Sequence, residues 1–230
     1  MARDLDIQQA LELTTELVSE AGRLAHDRFG RAQAQLKADG TPVTGADLMI
    51  ERTIRQRLQR NYPDHAIYGE EDGLTGPPDA PFLWLIDPID GTNNYVHSVP
   101  LWGVSLGLFH QGLPCLGVLE MPCLQQTFWA AQGMGAHCND HPIAVARGTE
   151  LAPNDLLLTS APNLPHWDYS VAVKYRNVGS AAYGMALVAA GSAIGFINAH
   201  WHLWDAGATL CLLKEAGALV TELVPYMGYS

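Results

Sequence analysis

Apolar residues at helical spacing open the chain. Ile7, Leu11, Leu17, Val18, Ala21 and Leu24 recur with Gln, Glu and Asp between them, which predicts an amphipathic helix from Leu5 to Phe29, stopped by Gly30. After the turn-rich stretch Lys37-Ala38-Asp39-Gly40-Thr41-Pro42, Thr44 stands as a helix N-cap with Asp47 three positions on. A second helix then runs to about Arg60, with Ile50, Ile54 and Leu58 on one face. Beyond Ala66 the period changes. Ala66–Gly69 and Phe82–Ile86 are short apolar runs that predict buried strands, joined by the acidic, Gly/Pro-rich segment 70–81. Val104–Phe109, Leu116–Met121 and Thr127–Ala131 predict an antiparallel meander, with turns at Gln111-Gly112, Pro122-Cys123 and Gly133-Met134-Gly135. Strands are expected at Leu156–Ser160, Ala193–Ala199 and Ala218–Leu223, and helices at Gly179–Ala190 and Ala206–Ala216.

Helices, then a meander, then alternating strand and helix predict α+β structure layered around mixed sheets. The natural division falls near Ala146 to Asn154, giving halves 1–148 and 149–230 within one unit. With 48% hydrophobic and 16% charged residues, the 230-residue chain has material for a sizeable core. The net charge of −11 argues against nucleic acid and anionic lipid as partners, although carboxylates neutralised by metal can still receive an anionic substrate. Four scattered cysteines form no zinc or disulfide framework. With no apolar signal core and no apolar run near the roughly 20 residues of a membrane span, a cytoplasmic protein is expected.

The chemistry concentrates in Trp84-Leu85-Ile86-Asp87-Pro88-Ile89-Asp90-Gly91-Thr92-Asn93-Asn94. A strand delivers Asp87 at its end, and Pro88, lacking an N–H, is expected to stop the ladder and turn the chain so that Asp90 approaches Asp87. Two such carboxylates repel unless a cation lies between them, and Mg2+, a hard ion taking oxygen ligands, suits them, with the Ile89 carbonyl as a further donor. Gly91 and Thr92 would bring backbone N–H groups to a phosphate. The plainer reading keeps Asp87 and Asp90 as turn acids, Asp90 as an N-cap. Glu70, Asp205 and Asp47 can reach the same rim; each has its own plain alternative as a solvated loop acid, an N-cap or a capping-box acid.

Taken together, the order Gly-Glu-Glu, then Trp-Leu-Ile-Asp-Pro-Ile-Asp-Gly-Thr, then Trp-Asp before small residues resembles the inositol monophosphatase family of lithium-sensitive, magnesium-dependent phosphatases, a likeness that spans most of the chain. The resemblance implies a layered αβαβα sandwich, two or three Mg2+ per site, a small phosphorylated metabolite as substrate and a homodimer. It implies Glu70, Asp87 and the Ile89 carbonyl as ligands of one metal, and Asp87, Asp90 and Asp205 as ligands of a second. Thr92 with Asp47 matches the pair that orients the attacking water, with Glu70 beside it. Gly91 and Thr92 would hold phosphate oxygens, and Gly179, Ser180 and Ala181 would contact the rest of the substrate.

The sequence also departs from that pattern. Asn198 stands where inositol-specific members carry an acid, and it cannot act as an anion. His200, Trp201 and His202 are either a substrate wall favouring an imidazole-containing or nucleotide-like ligand, or packing residues. The 161–178 connection is short for the family, and the tail ends soon after the strand expected through Leu223. Histidinol, sugar and nucleotide phosphates therefore compete with inositol phosphate. A non-catalytic metal-binding scaffold acting through a protein partner is the alternative of another class.

Overall fold

A computed structural model describes residues 5–31, 34–38, 40–148, 151–160, 173–198 and 201–221. Asp39, Ala199, His200, the segment 161–172 and the stretch from Glu222 onward lie outside the described residues.

Helix α1 (Ile7–His26) starts where the Asp6 carboxylate accepts the Gln9 N–H at 3.1 Å, and it buries Leu11, Leu17, Val18 and Ala21. Strands β1 (Ala34–Leu36) and β2 (Pro42–Thr44) pair antiparallel across the turn-rich stretch. Helix α2 (Gly45–Asn61) opens with a complete capping box between Thr44 and Asp47. Then come β3 (Ala66–Gly69), β4 (Gly73–Thr75), β5 (Phe82–Asp90), helix α3 (Thr92–Val96), β6 (Gly103–His110), β7 (Leu113–Met121), β8 (Gln126–Ala131), β9 (Gly135–Cys138) and β10 (His141–Ile143). These strands form one sheet in the order β10-β9-β8-β7-β6-β5-β3-β4, antiparallel throughout except for the parallel pair β3–β5. Strand β11 (Leu156–Thr159) lies between β12 (Lys174–Arg176) and β13 (Gly195–Ile197) in a small parallel sheet, and helices α4 (Ala181–Ala189) and α5 (Thr209–Glu215) complete the described elements.

The large sheet is apolar on both faces. Trp84, Ile86, Leu106 and Val118 pack with α1 and α2, whereas Leu119, Met121, Phe128 and Ala130 pack with α4 and α5. Helix α4 in turn contacts β13, so helices, large sheet, helices and small sheet stack in that order. On the α5 side the approach is close enough to require glycine. A Cβ on Gly107 would lie 2.0 Å from the Gly207 carbonyl oxygen, and one on Gly117 would lie 1.9 Å from that of Ala208. The chain ahead of α5 therefore rests directly on the backbone of β6 and β7.

Several sequence expectations are corrected. Pro88 does not end the strand: β5 continues to Asp90, where pairing with Gly103 resumes after a register shift beyond Asp87. The irregularity leaves Pro88 and Ile89 out of the ladder, so the missing N–H breaks nothing. Asp90 is not an N-cap of the helix that follows; Gly91, at φ 87°, holds that position. Helix α5 begins at Thr209 rather than Ala206, because residues 206–208 are pressed against the sheet. The expected last strand is absent from its described part, 218–221. The acidic linker contains β4, and the meander carries two further strands, β9 and β10, that short sequences with little apolar alternation did not announce.

Candidate active site

The parallel pair β3–β5 brings two carboxylates together. Gly69 is in register with Ile86, and the Glu70 N–H donates to the Ile86 carbonyl at 3.2 Å, so Glu70, just past the end of β3, comes beside Asp87 in β5. Asp87 is buried, with Oδ1 lacking a hydrogen-bond partner among the described residues. Beyond the bulge, Asp90 is buried too and turns its carboxylate to α4. It accepts from the Ser180 hydroxyl and from the N–H groups of Ala181 and Ala182, both at 3.1 Å. This is charge-assisted capping of a helix N-terminus from 90 residues away in sequence. It also brings the 179–181 stretch against the acidic cluster. Gly91 and Gly179 both adopt positive φ here, and a Cβ on Gly91 would come within 3.1 Å of the Gly179 carbonyl oxygen.

Asp205 arrives from the other side of the sheet. Its Oδ2 accepts the His202 N–H at 2.8 Å and its own N–H donates to the His202 carbonyl at 3.1 Å, which closes a tight loop. Gly207 fixes that loop against β5, since its Cβ would sit 2.7 Å from the Leu85 Cβ. Asp47 keeps its capping role, with Oδ2 accepting from the Thr44 N–H at 2.8 Å and the Thr44 hydroxyl at 2.5 Å. Its Oδ1 is buried without a partner among the described residues. The Thr92 hydroxyl donates to the Ile89 carbonyl at 3.0 Å, so Thr92 and Asp47 are each bonded elsewhere. Asn198 has a buried Oδ1 with no partner among the described residues.

Electrostatics shows the convergence most directly. Burial drives the Asp87 carboxyl well above the usual range, and Glu70, Asp90, Asp205 and Asp47 all add repulsion to it. Burial likewise raises Asp90 to about 7 against the pull of its Ser180, Ala181 and Ala182 bonds, with Asp205 adding repulsion. Asp47 and Asp205 are raised by burial and by Glu70. Lys37 is the cation among them, its Nζ 2.7 Å from Glu70 and 2.8 Å from Glu71. Burial works against its charge, but the two carboxylates outweigh burial and hold its pKa above that of a free lysine.

This donor set fits a hard divalent cation: carboxylate and carbonyl oxygens only, with Asp87 Oδ1, like Asp47 Oδ1, buried without a partner among the described residues. Among the described residues no three His, Cys, Asp or Glu side chains stand in ligating geometry. The reason is visible in the bonds: Glu70 is drawn to Lys37 and Asp90 to the α4 N-terminus, so both must adjust to share an ion.

The sequence reading missed the support beneath Glu70. Glu51, fully buried in α2, accepts the Glu71 N–H at 2.8 Å through Oε2, and the Asp72 N–H at 2.9 Å and Arg55 Nε at 2.8 Å through Oε1. Arg55 then donates to the Gly73 carbonyl and, at 2.9 Å, to the Thr75 hydroxyl on β4, and at 3.4 Å to the Ile67 carbonyl on β3, tying both sides of the β3–β4 hairpin to the helix. A signal was present: Glu51 and Arg55 lie at i and i+4 on the side of α2 that leads to buried Leu58. Glu51→Gln should lower stability by about 3 kcal/mol or more, because it leaves a buried guanidinium without its anion. Thermal denaturation should show a loss of about 6–12 °C.

Among the described residues no helix is long and apolar enough to cross a membrane. The model of the inositol monophosphatase family matches residues 6–225. An inositol-1-monophosphatase from Synechocystis sp. is 37% identical over 94% of this chain and 79% of its own length. A histidinol-phosphatase from Chlorobaculum parvum is 36% identical over 90% of this chain and 83% of its own. The solved inositol monophosphatase from Anabaena superposes with a TM-score of 0.79 at 33% identity, covering 93% of this chain and 83% of that one.

Proposed function

Because the chain belongs to the inositol monophosphatase family, we propose that it is a magnesium-dependent phosphatase that hydrolyses a small phosphate monoester at the Asp87 cluster. The observation that carries this reading is the burial of Asp87 amid four other carboxylates, an arrangement of mutual repulsion that a divalent cation resolves. Glu70, Asp87, Asp90, Asp205 and the Ile89 carbonyl would hold the metal, two or three ions per site. When bound, the metal supplies positive charge to the phosphoryl oxygens and lowers the pKa of water.

The chain's own groups do the rest. The N–H groups of Gly91 and Thr92 bind phosphate oxygens at the positive end of a left-handed turn. The Thr92 hydroxyl, fixed by the Ile89 carbonyl, and the free Oδ1 of Asp47 orient the attacking water and receive its proton, with Glu70 alongside. Asp90 locks the 179–181 stretch, and Gly179, Ser180 and Ala181, with Asn198 and Asp205, would contact the alcohol half of the ester. Family kinship extends the proposal to a cytoplasmic homodimer inhibited by lithium.

Release of inorganic phosphate from a panel of inositol, histidinol, sugar and nucleotide monophosphates, with Mg2+ and with EDTA, tests this. Turnover of at least one ester is expected with Mg2+ and none with EDTA. No release from any ester would favour a metal-binding scaffold instead.

A further inference from the structure

One polar bridge beside the site is left over by the catalytic reading. Asn94, half-buried in the short helix α3, spends both hydrogens of its side-chain amide on distant backbone. Its Nδ2 donates at 2.6 Å to the Leu101 carbonyl and at 2.8 Å to the Val178 carbonyl, 84 residues away in sequence. Both partners can only accept, so the nitrogen of the amide must face them. The neighbouring glycines make room for this contact. A Cβ on Gly179 would lie 2.6 Å from Asn94 Nδ2 and Oδ1, and one on Gly91 would lie 3.1 Å from the carbonyl oxygens of Gly179 and Leu101. The Gly179 N–H donates to Asn177 Oδ1 at 2.8 Å, and Asn177 Nδ2 donates to the Ser160 carbonyl at 3.1 Å, which ties the same stretch to the end of β11. The turn at Gly91 and the chain entering α4 therefore meet across one side chain. Asp90 joins the same two segments through Ser180, Ala181 and Ala182, but its oxygens are those a metal would share. The two Asn94 bonds go to neutral backbone and do not draw on them.

We propose that Asn94 is a positioning residue that fixes the spacing between the turn that would hold the phosphate, Gly91 and Thr92, and the stretch that would meet the alcohol, 179–181; the proposal rests on the phosphatase reading above. An ester held at both ends gains fully from its second contact only when the two are already set at the right separation. Inorganic phosphate occupies one end and gains nothing from the spacing. Loss of the Asn94 amide therefore penalises the ester and spares phosphate. A general loosening of the phosphate turn would penalise both.

Asn94→Ala separates these outcomes. With the best-hydrolysed ester of the panel and Mg2+, kcat/KM should fall on the order of 10-fold to 100-fold, mainly through a raised KM. Calorimetric titration with inorganic phosphate in Mg2+ should give the Kd of wild type. Hydrogen exchange across 177–182, followed by mass spectrometry with no ester present, should quicken. Asn94→Ser, which keeps one donor on a shorter arm, should lie between Asn94→Ala and wild type, and it decides the matter if Asn94→Ala does not fold. An unchanged kcat/KM, or phosphate affinity lost in step with that for the ester, would overturn the positioning role. If wild type hydrolyses no ester the phosphatase reading fails, while the exchange of 177–182 still decides the tether; no quickening in either variant sinks it.

Discussion

Replacing Asp87 by asparagine should abolish turnover, on the order of 10³-fold or more, while leaving the protein folded and, in EDTA, more stable than wild type. The two halves of this expectation have one cause. Asp87 is the carboxylate toward which Glu70, Asp90, Asp205 and Asp47 all direct repulsion, and it is buried with one oxygen unpartnered. As an anion it costs the empty fold stability, and as a metal ligand it supplies electrostatic stabilisation that a neutral amide cannot replace. Asparagine has nearly the same shape, so packing against Ser105 in the ladder is retained. Phosphate release and thermal denaturation of the same preparation check both halves. Lost activity with lowered stability would mean that Asp87 is structural; retained activity would remove it from the site.

The second large effect belongs to a residue with no functional group. Gly107→Ala would place a methyl 2.0 Å from the Gly207 carbonyl oxygen and 2.2 Å from its carbonyl carbon. Backbone on both sides leaves nothing flexible to yield, so the 206–208 segment must lift from the sheet and carry Asp205 with it. Overpacking of this kind costs about 3 kcal/mol or more, a fall in Tm of about 6–12 °C. Unlike a purely structural lesion, it should also raise the Mg2+ concentration needed for half-maximal activity. A variant of wild-type stability and Mg2+ dependence would show that the loop before α5 is not held as described.

Asp87 and Glu70 were legible because each follows a short apolar run, as Asp87 does after Trp84-Leu85-Ile86, while Asp47 and Asp205 were legible as acids at helix starts. The helices α1 and α2 were legible for the same local reasons of spacing and capping. What joins the acids was not. Asp90 finds its partners at Ser180, Ala181 and Ala182, and no local pattern announces a contact over that separation. Pro88 misled because its missing N–H forbids regular pairing but not a bulge, and the difference depends on the opposite strand, where Gly103 re-enters the ladder. Lys37 lies in a turn-rich stretch, and nothing local names its partners Glu70 and Glu71, which come from a different hairpin. The glycines Gly107 and Gly117 carry no local sign of their role, which is to make room for the backbone of Gly207 and Ala208 ahead of α5.

If the carboxylates of Glu70, Asp87, Asp90 and Asp205 share one cation site, thermal denaturation against pH will respond to Mg2+ through them. Carboxyls raised by burial, such as Asp90 and Glu71 at about 7, bind protons more tightly in the folded state than when unfolded near 4. In EDTA their contribution should therefore be full below about pH 4 and disappear as pH climbs to about 7, lowering Tm. At pH 7.5, Mg2+ at about 100 times its dissociation constant should then raise Tm by about 5–10 °C, and Glu70→Gln, Asp87→Asn or Asp205→Asn should each largely remove that rise. A Tm indifferent to Mg2+ in wild type, or a rise that survives all three substitutions, would contradict the shared site.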